Sequence, residues 1–336
     1  MLPATQWLPR GKRWFASAAG LAHLARAKQT TKALKQTLLS AKDTGRGDLH
    51  YALSQRVFDF QEQQHHIYIG LDVSSRCTGM AVVEAKGKGV AHHACETHRL
   101  KNVIDVGRTI RTDVEKLLSR VQAELDRSNK RDAMQWYAGV EACAKSFTRG
   151  RFNAKGLVKL AQINGIAQYI CAEQIGTLPL LVNPSTARTF YELRMPLPQK
   201  RRGEEEEEGG GGIASTLANG TTATATATNQ VHLVQAVEEE QPVKERVFDF
   251  VQERETIWVP DMASKSRLDI SDAFLIAYYT RVHHIFETLV NDQMLWNEFD
   301  LSVADVKPAS AKRDAIDVLH KYVWEWLREH KHFLNL

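Results

Sequence analysis

From about residue 65 the chain is built of short apolar runs that end on single acids or on turn residues. Ile67-Tyr68-Ile69-Gly70-Leu71 runs into Asp72 and reads as a buried strand, followed by a turn at Ser74 to Arg76. Thr78 to Glu84 is a second strand, Lys86 to Gly89 a Lys-Gly-Lys-Gly turn, and Val90 to Thr97 a third strand. Two short connections between β-rich runs predict an antiparallel meander. The period then changes. Val103, Val106, Ile110, Val114, Leu117, Leu118, Val121 and Leu125 step by threes and fours, which predicts an amphipathic helix over 102–126, with Gly107 weakening its start. Gln135 to Glu141 is again a strand ending in an acid. Residues 155–174 form a helix with Leu157, Leu160, Ile163, Ile166 and Ile170 on one side, and Leu180 to Asn183 is a short strand that Pro184 stops. This order predicts an α/β fold with a five-stranded mixed sheet flanked by helices.

Residues 199–242 break the pattern with Glu204 to Glu208, Gly209 to Gly212 and a Thr/Ala run from Thr221 to Thr228. Such a segment buries too little apolar area to offset chain entropy, so it is expected to be a disordered insert. Helices are expected at 243–251, 269–290 and 311–332. The expected organisation is therefore an address or disordered segment at 1–45, a linker at 46–64, a folded domain from 65–198 and 243–290 split by the insert, and a helical extension at 291–336. The pentapeptide Arg-Val-Phe-Asp-Phe occurs at 56–60 and again at 246–250, without flanks that extend the match.

Composition adds an address and removes some classes. Residues 1–42 hold no Asp or Glu, while Arg10, Lys12, Arg13, Arg26, Lys28, Lys32, Lys35 and Lys42 are spread among Ala, Leu, Ser and Thr. A cationic amphipathic start matches an organellar transit peptide, and the mitochondrial matrix is the expected destination. A basic arm that touches nucleic acid is the other reading. The net charge of +4 includes the acid-rich insert, so the rest of the chain is more basic and favours a polyanionic partner. No apolar run approaches the ~18–20 residues of a membrane span, so no membrane partner is expected. Cys77, Cys95, Cys143 and Cys171 lie far apart with no paired spacing, which argues against a zinc site or a disulfide framework. They are expected to be reduced and mostly buried. His283 and His284 are expected at the surface of their helix rather than as ligands.

Four acids occupy positions that matter chemically. Asp72 ends the first strand and Glu141 the fourth, while Asp269 and Asp272 stand three apart on one helical face. Read singly, Asp269 is an N-cap or first-turn acid suited to the helix dipole and Glu141 a surface strand end. Asp72 is harder to dismiss, because an idle acid at the end of an apolar strand is costly. Together they form a carboxylate cluster at one sheet edge, and like charges that close need cations. Hard oxygen ligands favour Mg²⁺, with Mn²⁺ able to substitute.

The run Ile69-Gly70-Leu71-Asp72-Val73-Ser74 through Thr78-Gly79, then Gly139-Val140-Glu141, then Asp269 to Ala273, resembles the RuvC family of Holliday-junction resolvases within the RNase H-like superfamily. Leu157 to Ala167 is similar to that family's helix after the glutamate, and Val182 to Phe190 to its next strand and the basic segment beyond. The resemblance spans about 67–280, interrupted by the insert. Two departures are the insert itself and the extra C-terminal helix. The resemblance implies an RNase H-like fold and two Mg²⁺ ions held by Asp72, Glu141, Asp269 and Asp272. It implies hydrolysis of phosphodiesters in a four-way DNA junction, which the expected mitochondrial address would place in mitochondrial DNA recombination or segregation. It also implies a homodimer through the 155–174 helix.

Basic residues that could follow phosphates are Lys145, Arg149, Arg151 and Lys155, with Phe147 and Phe152 interleaved to stack on unpaired bases. A solvated loop with two anchoring phenylalanines is the bland alternative. Lys244 resembles a family lysine near the scissile phosphate, and Lys265 and Arg267 lie just upstream of Asp269. Two rivals stay open: an RNase H-fold nuclease acting on structured organellar RNA, and a non-catalytic assembly factor that keeps the fold. An actin-like ATPase would need a second Asp-Gly phosphate loop, which the sequence lacks.

Overall fold

The computed structural model describes residues 32, 36, 38, 47–62, 66–127, 134–143, 154–193, 242–255, 264–299, 301, 309–332 and 334–336. Most of the expected address and, apart from Pro242, the whole acidic insert lie outside the described residues. The elements run α1 (Gly47–Glu62), β1 (His66–Val73), β2 (Cys77–Glu84), β3 (Gly89–Glu96), α2 (Val103–Arg127), β4 (Gln135–Glu141), α3 (Ala154–Ile175), β5 (Leu180–Val182), α4 (Pro184–Phe190), α5 (Val243–Arg254), α6 (Ser264–Asn291), α7 (Gln293–Glu298) and α8 (Ala309–His330). The sheet order is β3-β2-β1-β4-β5. β1 pairs antiparallel with β2 and parallel with β4, and β4 runs parallel to β5, giving the expected mixed sheet.

Strand alternation sorts the sheet's two faces. Ile67, Ile69, Leu71 and Val73 of β1, with Ala138 and Val140 of β4, face a core closed by α2 and α3. Tyr68 of β1 and Ala81 and Val83 of β2 face the other way, onto α6 and the helices around it. On that second face the sheet is largely bare of side chains where α6 crosses it. A Cβ at Gly70 would strike the Ala273 carbonyl oxygen, one at Gly79 the Asp269 carbonyl, and one at Gly139 the Thr280 hydroxyl. Helix backbone therefore rests directly on strand backbone, and no larger residue fits at these positions. This contact fixes both the height and the direction of α6.

Two boundaries differ from the expected organisation. Residues 46–64, expected to be a linker, contain α1, whose Leu49, Leu53, Val57 and Phe60 are buried in the α6 core. Leu38, inside the expected address, is buried in the same core. Likewise 291–336, expected as an extension, shares that core through Leu295, Trp296, Ala315, Leu319, Val323, Trp326 and Leu327. Its last residues are tied in by long-range polar contacts. Arg281, fully buried, donates to the Ala85 carbonyl at 2.5 Å and the Asn335 carbonyl at 3.1 Å. Arg254 donates to the Leu336 carbonyl at 2.9 Å. Local patterning cannot show such contacts, because the partners are far apart in sequence.

His284 is not a surface residue. It is half-buried among Phe60, His66, Tyr68 and Tyr137, and its Nδ1 lies 2.9 Å from the Tyr68 hydroxyl. Burial, then the neighbouring His66 and His283, push its pKa from 6.5 to about 4. In the tautomer protonated at Nε2 the neutral ring accepts from the phenol, and a protonated ring would have to reverse that bond while carrying its charge in a half-buried place.

Two tests follow from this packing. Gly70→Ala is expected to cost at least about 3 kcal/mol, because backbone rather than a flexible side chain blocks the new methyl. Gly165→Ala in α3, where nothing lies within 4 Å of the added carbon, is expected to stabilise by up to about 1 kcal/mol. Urea denaturation of both variants checks the pair. For His284 the native pKa lies below the unfolded one, so its contribution is complete above pH 6.5 and disappears as pH falls toward about 4. Relative to the wild type, His284→Gln is expected to flatten stability across that window by about 1–2 kcal/mol, discounted for partial exposure. Identical slopes in the two proteins would refute the assignment.

Candidate active site

Asp72 and Glu141 meet because β1 and β4 are parallel and in register. Leu71 pairs with Val140, so the next residue on each strand is an acid, and both follow the alternation to the α6 face. Asp72 is also the register partner of Gly79, and Gly79 is where the Asp269 backbone touches the sheet. The glycine that lets α6 approach thus sets Asp269 beside Asp72. One helical turn further, Asp272 is buried on the same side. Asp269 is not a first-turn acid, as α6 begins at Ser264 and has no acid in its first turn. The dipole therefore has little part in holding it.

The electrostatics reflect this crowding. Asp72 is 6% exposed, and its pKa is raised well above the ordinary carboxylate value. Burial is the main cause, followed by the charge and hydrogen bond of Glu141 and the charge of Asp272, with Lys244 opposing. Two cations enter the cluster. Lys244 Nζ lies 3.3 Å from Asp269 Oδ1 and 3.2 Å from Asp272 Oδ2. Burial works against its ammonium, but Asp72, Asp272 and Asp269 outweigh that and raise its pKa. Arg188 Nη2 lies 2.8 Å from Asp272 Oδ1, an arginine that the sequence reading did not single out. Its signal was present: Asn183-Pro184 is an N-cap followed by proline at the first helical position. The Asn183 side chain accepts from Ser185 N and starts α4, which carries Arg188 toward the site.

Asn164 is a second residue the sequence reading passed over. It is buried within the apolar side of α3, and its Nδ2 donates to the Glu141 carbonyl at 2.6 Å. Gln168 in turn donates to Asn164 Oδ1 at 2.5 Å, which fixes the amide's orientation. A buried amide amid Ile163 and Ala167 was the available sign.

Beside the acids, on the β2–β3 side, opens a cleft of about 790 Å³ lined by Ser74, Arg76, His98, Lys244, Ser266 and Asp269 among others. Arg76 and His98 were not among the sequence candidates. Cys77 also lines it, but burial and then the Asp269 carboxylate push its thiol to about 12, so it is no nucleophile. None of the four cysteines is in a disulfide. Of the candidate nucleic-acid residues, Lys155 is exposed at the start of α3, and Arg267 stacks over Phe248 at 5.3 Å. Lys265 lies in the first turn of α6. Lys145, Phe147, Arg149, Arg151 and Phe152 lie outside the described residues.

The donor set is all oxygen, and two of its carboxylates are nearly sealed from water, which suits a hard divalent cation. Among the described residues, however, no three His, Cys, Asp or Glu side chains are gathered closely enough to hold an ion as they stand. Lys244 and Arg188 supply the compensating charge instead.

A carboxylate with a raised native pKa costs stability progressively as pH rises above the ordinary carboxylate value, because the unfolded chain ionises there while the folded state resists, and the cost is complete above the native pKa. Asp72→Asn is therefore expected to raise the stability of the chain by about 1 kcal/mol or more at pH 7–8. The gain should shrink as pH falls toward the ordinary carboxylate range. Thermal melts across pH check this, and a variant less stable than wild type at pH 8 would contradict it.

No family model matches the chain, and no curated protein matches it. Among solved structures, it is similar to Thermus thermophilus RuvC in complex with a Holliday-junction substrate. That match has 15% identity and a TM-score of 0.34, covering 67% of this chain and 96% of that one. A second Thermus thermophilus RuvC structure matches at 16% identity and a TM-score of 0.34, covering 66% and 96%.

Proposed function

We propose that the chain is a metal-dependent nuclease that cuts four-way DNA junctions, acting in the mitochondrial matrix on recombining DNA. The observation that carries this reading is the convergence of four acids from three separated segments. Asp72 and Glu141 are paired by strand register, and Asp269 and Asp272 are laid across them by the glycine-seated α6. A purely structural helix-on-sheet contact has no use for four acids there, two of them buried.

In this reading Asp72, Glu141, Asp269 and Asp272 would hold two Mg²⁺ ions, with Mn²⁺ able to substitute. Bound ions would supply an activated water and charge stabilisation at phosphorus. The chain's own residues do the rest. Asn164 holds the Glu141 backbone, Arg188 fixes Asp272, and the cleft beside Lys244 and Arg76 offers cations to the phosphates on one side of the acids. Lys145, Arg149, Arg151, Lys155, Lys265 and Arg267, with Phe147 and Phe152, would extend that track into branched DNA. Two such sites in a homodimer would match the near two-fold symmetry of a junction.

A second reading is a non-catalytic factor that binds structured RNA. The observation favouring it is that Lys244 already bridges two of the acids. One experiment separates the two. The full chain is incubated with Mg²⁺ and labelled four-way DNA junctions, duplex DNA, RNA:DNA hybrid or structured RNA. Paired symmetric nicks in the junction are expected, reduced by roughly 100-fold or more in Asp72→Asn and Glu141→Gln. Cleavage that survives Asp72→Asn, or that prefers the hybrid, overturns the resolvase reading. Tight RNA binding with no cleavage of any substrate establishes the second.

A further inference from the structure

We infer that Lys244 is an internal counter-cation that a divalent metal must displace, so that metal occupancy of the acids is gated by the N-terminal end of α5. The inference rests on the metal-site reading above and adds a regulation of that site.

The two cations in the cluster are held very differently. Arg188 comes from α4, which is anchored by buried Ala187 and Phe190. The α4 C-terminal end is fastened again by Lys331, whose Nζ reaches the Phe190 carbonyl at 3.3 Å and Glu192 at 2.7 Å. The Arg188 side chain is 21% exposed and contacts Asp272 alone among the acids. It behaves as a fixed support. Lys244 is the second residue of α5, its side chain is 47% exposed, and it touches both Asp269 and Asp272. Pro242 caps that helix with no side-chain hydrogen bond, so α5's first turn is weakly secured. The first buried residue of α5 is Val247, one turn on. Lys244 is therefore the cation that can leave without unpacking the core.

Position gives the displacement its consequence. Lys244 Nζ sits at ion-pair distance from two of the oxygens a metal would need, so ammonium and metal cannot share them. Lys244 thus occupies two of the four acids, and among the described residues no three acids form a ready cage. Lys244 also lines the cleft beside the acids, next to Ser74 and Arg76. Once displaced it has somewhere to go: the cleft wall, where a phosphate would replace the carboxylates as its partner. Anything that pulls α5 outward opens the acids to metal, and anything that presses it inward closes them.

The test measures metal affinity rather than cleavage. Mn²⁺ binding to the full chain is followed by the electron paramagnetic resonance of free Mn²⁺, for wild type, Lys244→Met, Lys244→Gln, Lys244→Arg and Arg188→Met. Both neutral Lys244 variants are expected to bind Mn²⁺ at least about fivefold more tightly than wild type, since the competing charge is gone. Lys244→Arg, which keeps the competing charge, should stay within about twofold of wild type. Arg188→Met should bind more weakly, because Asp272 loses its support. Without metal, Lys244→Met should melt at a lower temperature than wild type, and Mn²⁺ should restore it by a larger shift. Wild-type binding with unchanged or weaker affinity in both neutral variants overturns the gate while leaving the metal site standing. Absence of Mn²⁺ binding in every protein overturns the metal site and the gate together. If Lys244→Met fails to fold, Lys244→Gln decides alone.

Discussion

Direct seating of α6 backbone on sheet backbone is the constraint from which the rest follows. Gly70 and Gly139 lie side by side on neighbouring parallel strands, Gly79 lies one strand over, and Ala273, Ala277, Thr280 and the Asp269 carbonyl fill the space their missing side chains leave. A helix held at that height has little freedom to roll, because rotation would drive its own side chains into strand atoms. Its polar residues are therefore aimed as rigidly as those of a strand. Asp269 and Asp272 inherit their positions from this contact, and Arg281, further along the same helix, inherits its reach to Ala85.

The acids form a site because this rigid helix meets strand ends whose register is equally fixed. A one-residue slip of β4 against β1 would turn Glu141 to the opposite, apolar face. Asn164 guards against that by gripping the Glu141 carbonyl from α3, so both layers of helices contribute to one cluster. The result is a concentration of negative charge in a poorly solvated place. The chain tolerates it by bringing in Arg188 and Lys244, and by favouring the protonated form of Asp72. Stability and the proposed chemistry would pull against each other here, as they commonly do where a site must hold charges that folding would rather exclude.

The regions outside the resemblance prove to be part of the same body. α1 precedes the sheet and α8 follows everything else, yet both bury apolar residues against α6. They cover its outer side, which the sheet cannot reach. The tail residue Asn335 closes over the β2–β3 turn through Lys86 and Arg281. The helix that aims two of the acids is thus clamped from the sheet below and from the terminal helices above.

The sequence by itself determined the strands, most of the longer helices and the positions of all four acids, because these depend on local alternation and period. An apolar run that ends in an acid places that acid at a strand end whatever surrounds it. Spacing of three puts Asp269 and Asp272 on one face of any helix. Only the tertiary structure decided where α6 begins, that α1 is no linker, that His284 is half-buried, that Arg188 and Asn164 attend the acids, and that Lys244 bridges Asp269 and Asp272. Each of these depends on a partner distant in sequence: Arg188 on Asp272, Asn164 on Glu141, His284 on Tyr68. Periodicity reports which face of an element is apolar, but not which other element will meet it, and these residues get their roles from that meeting.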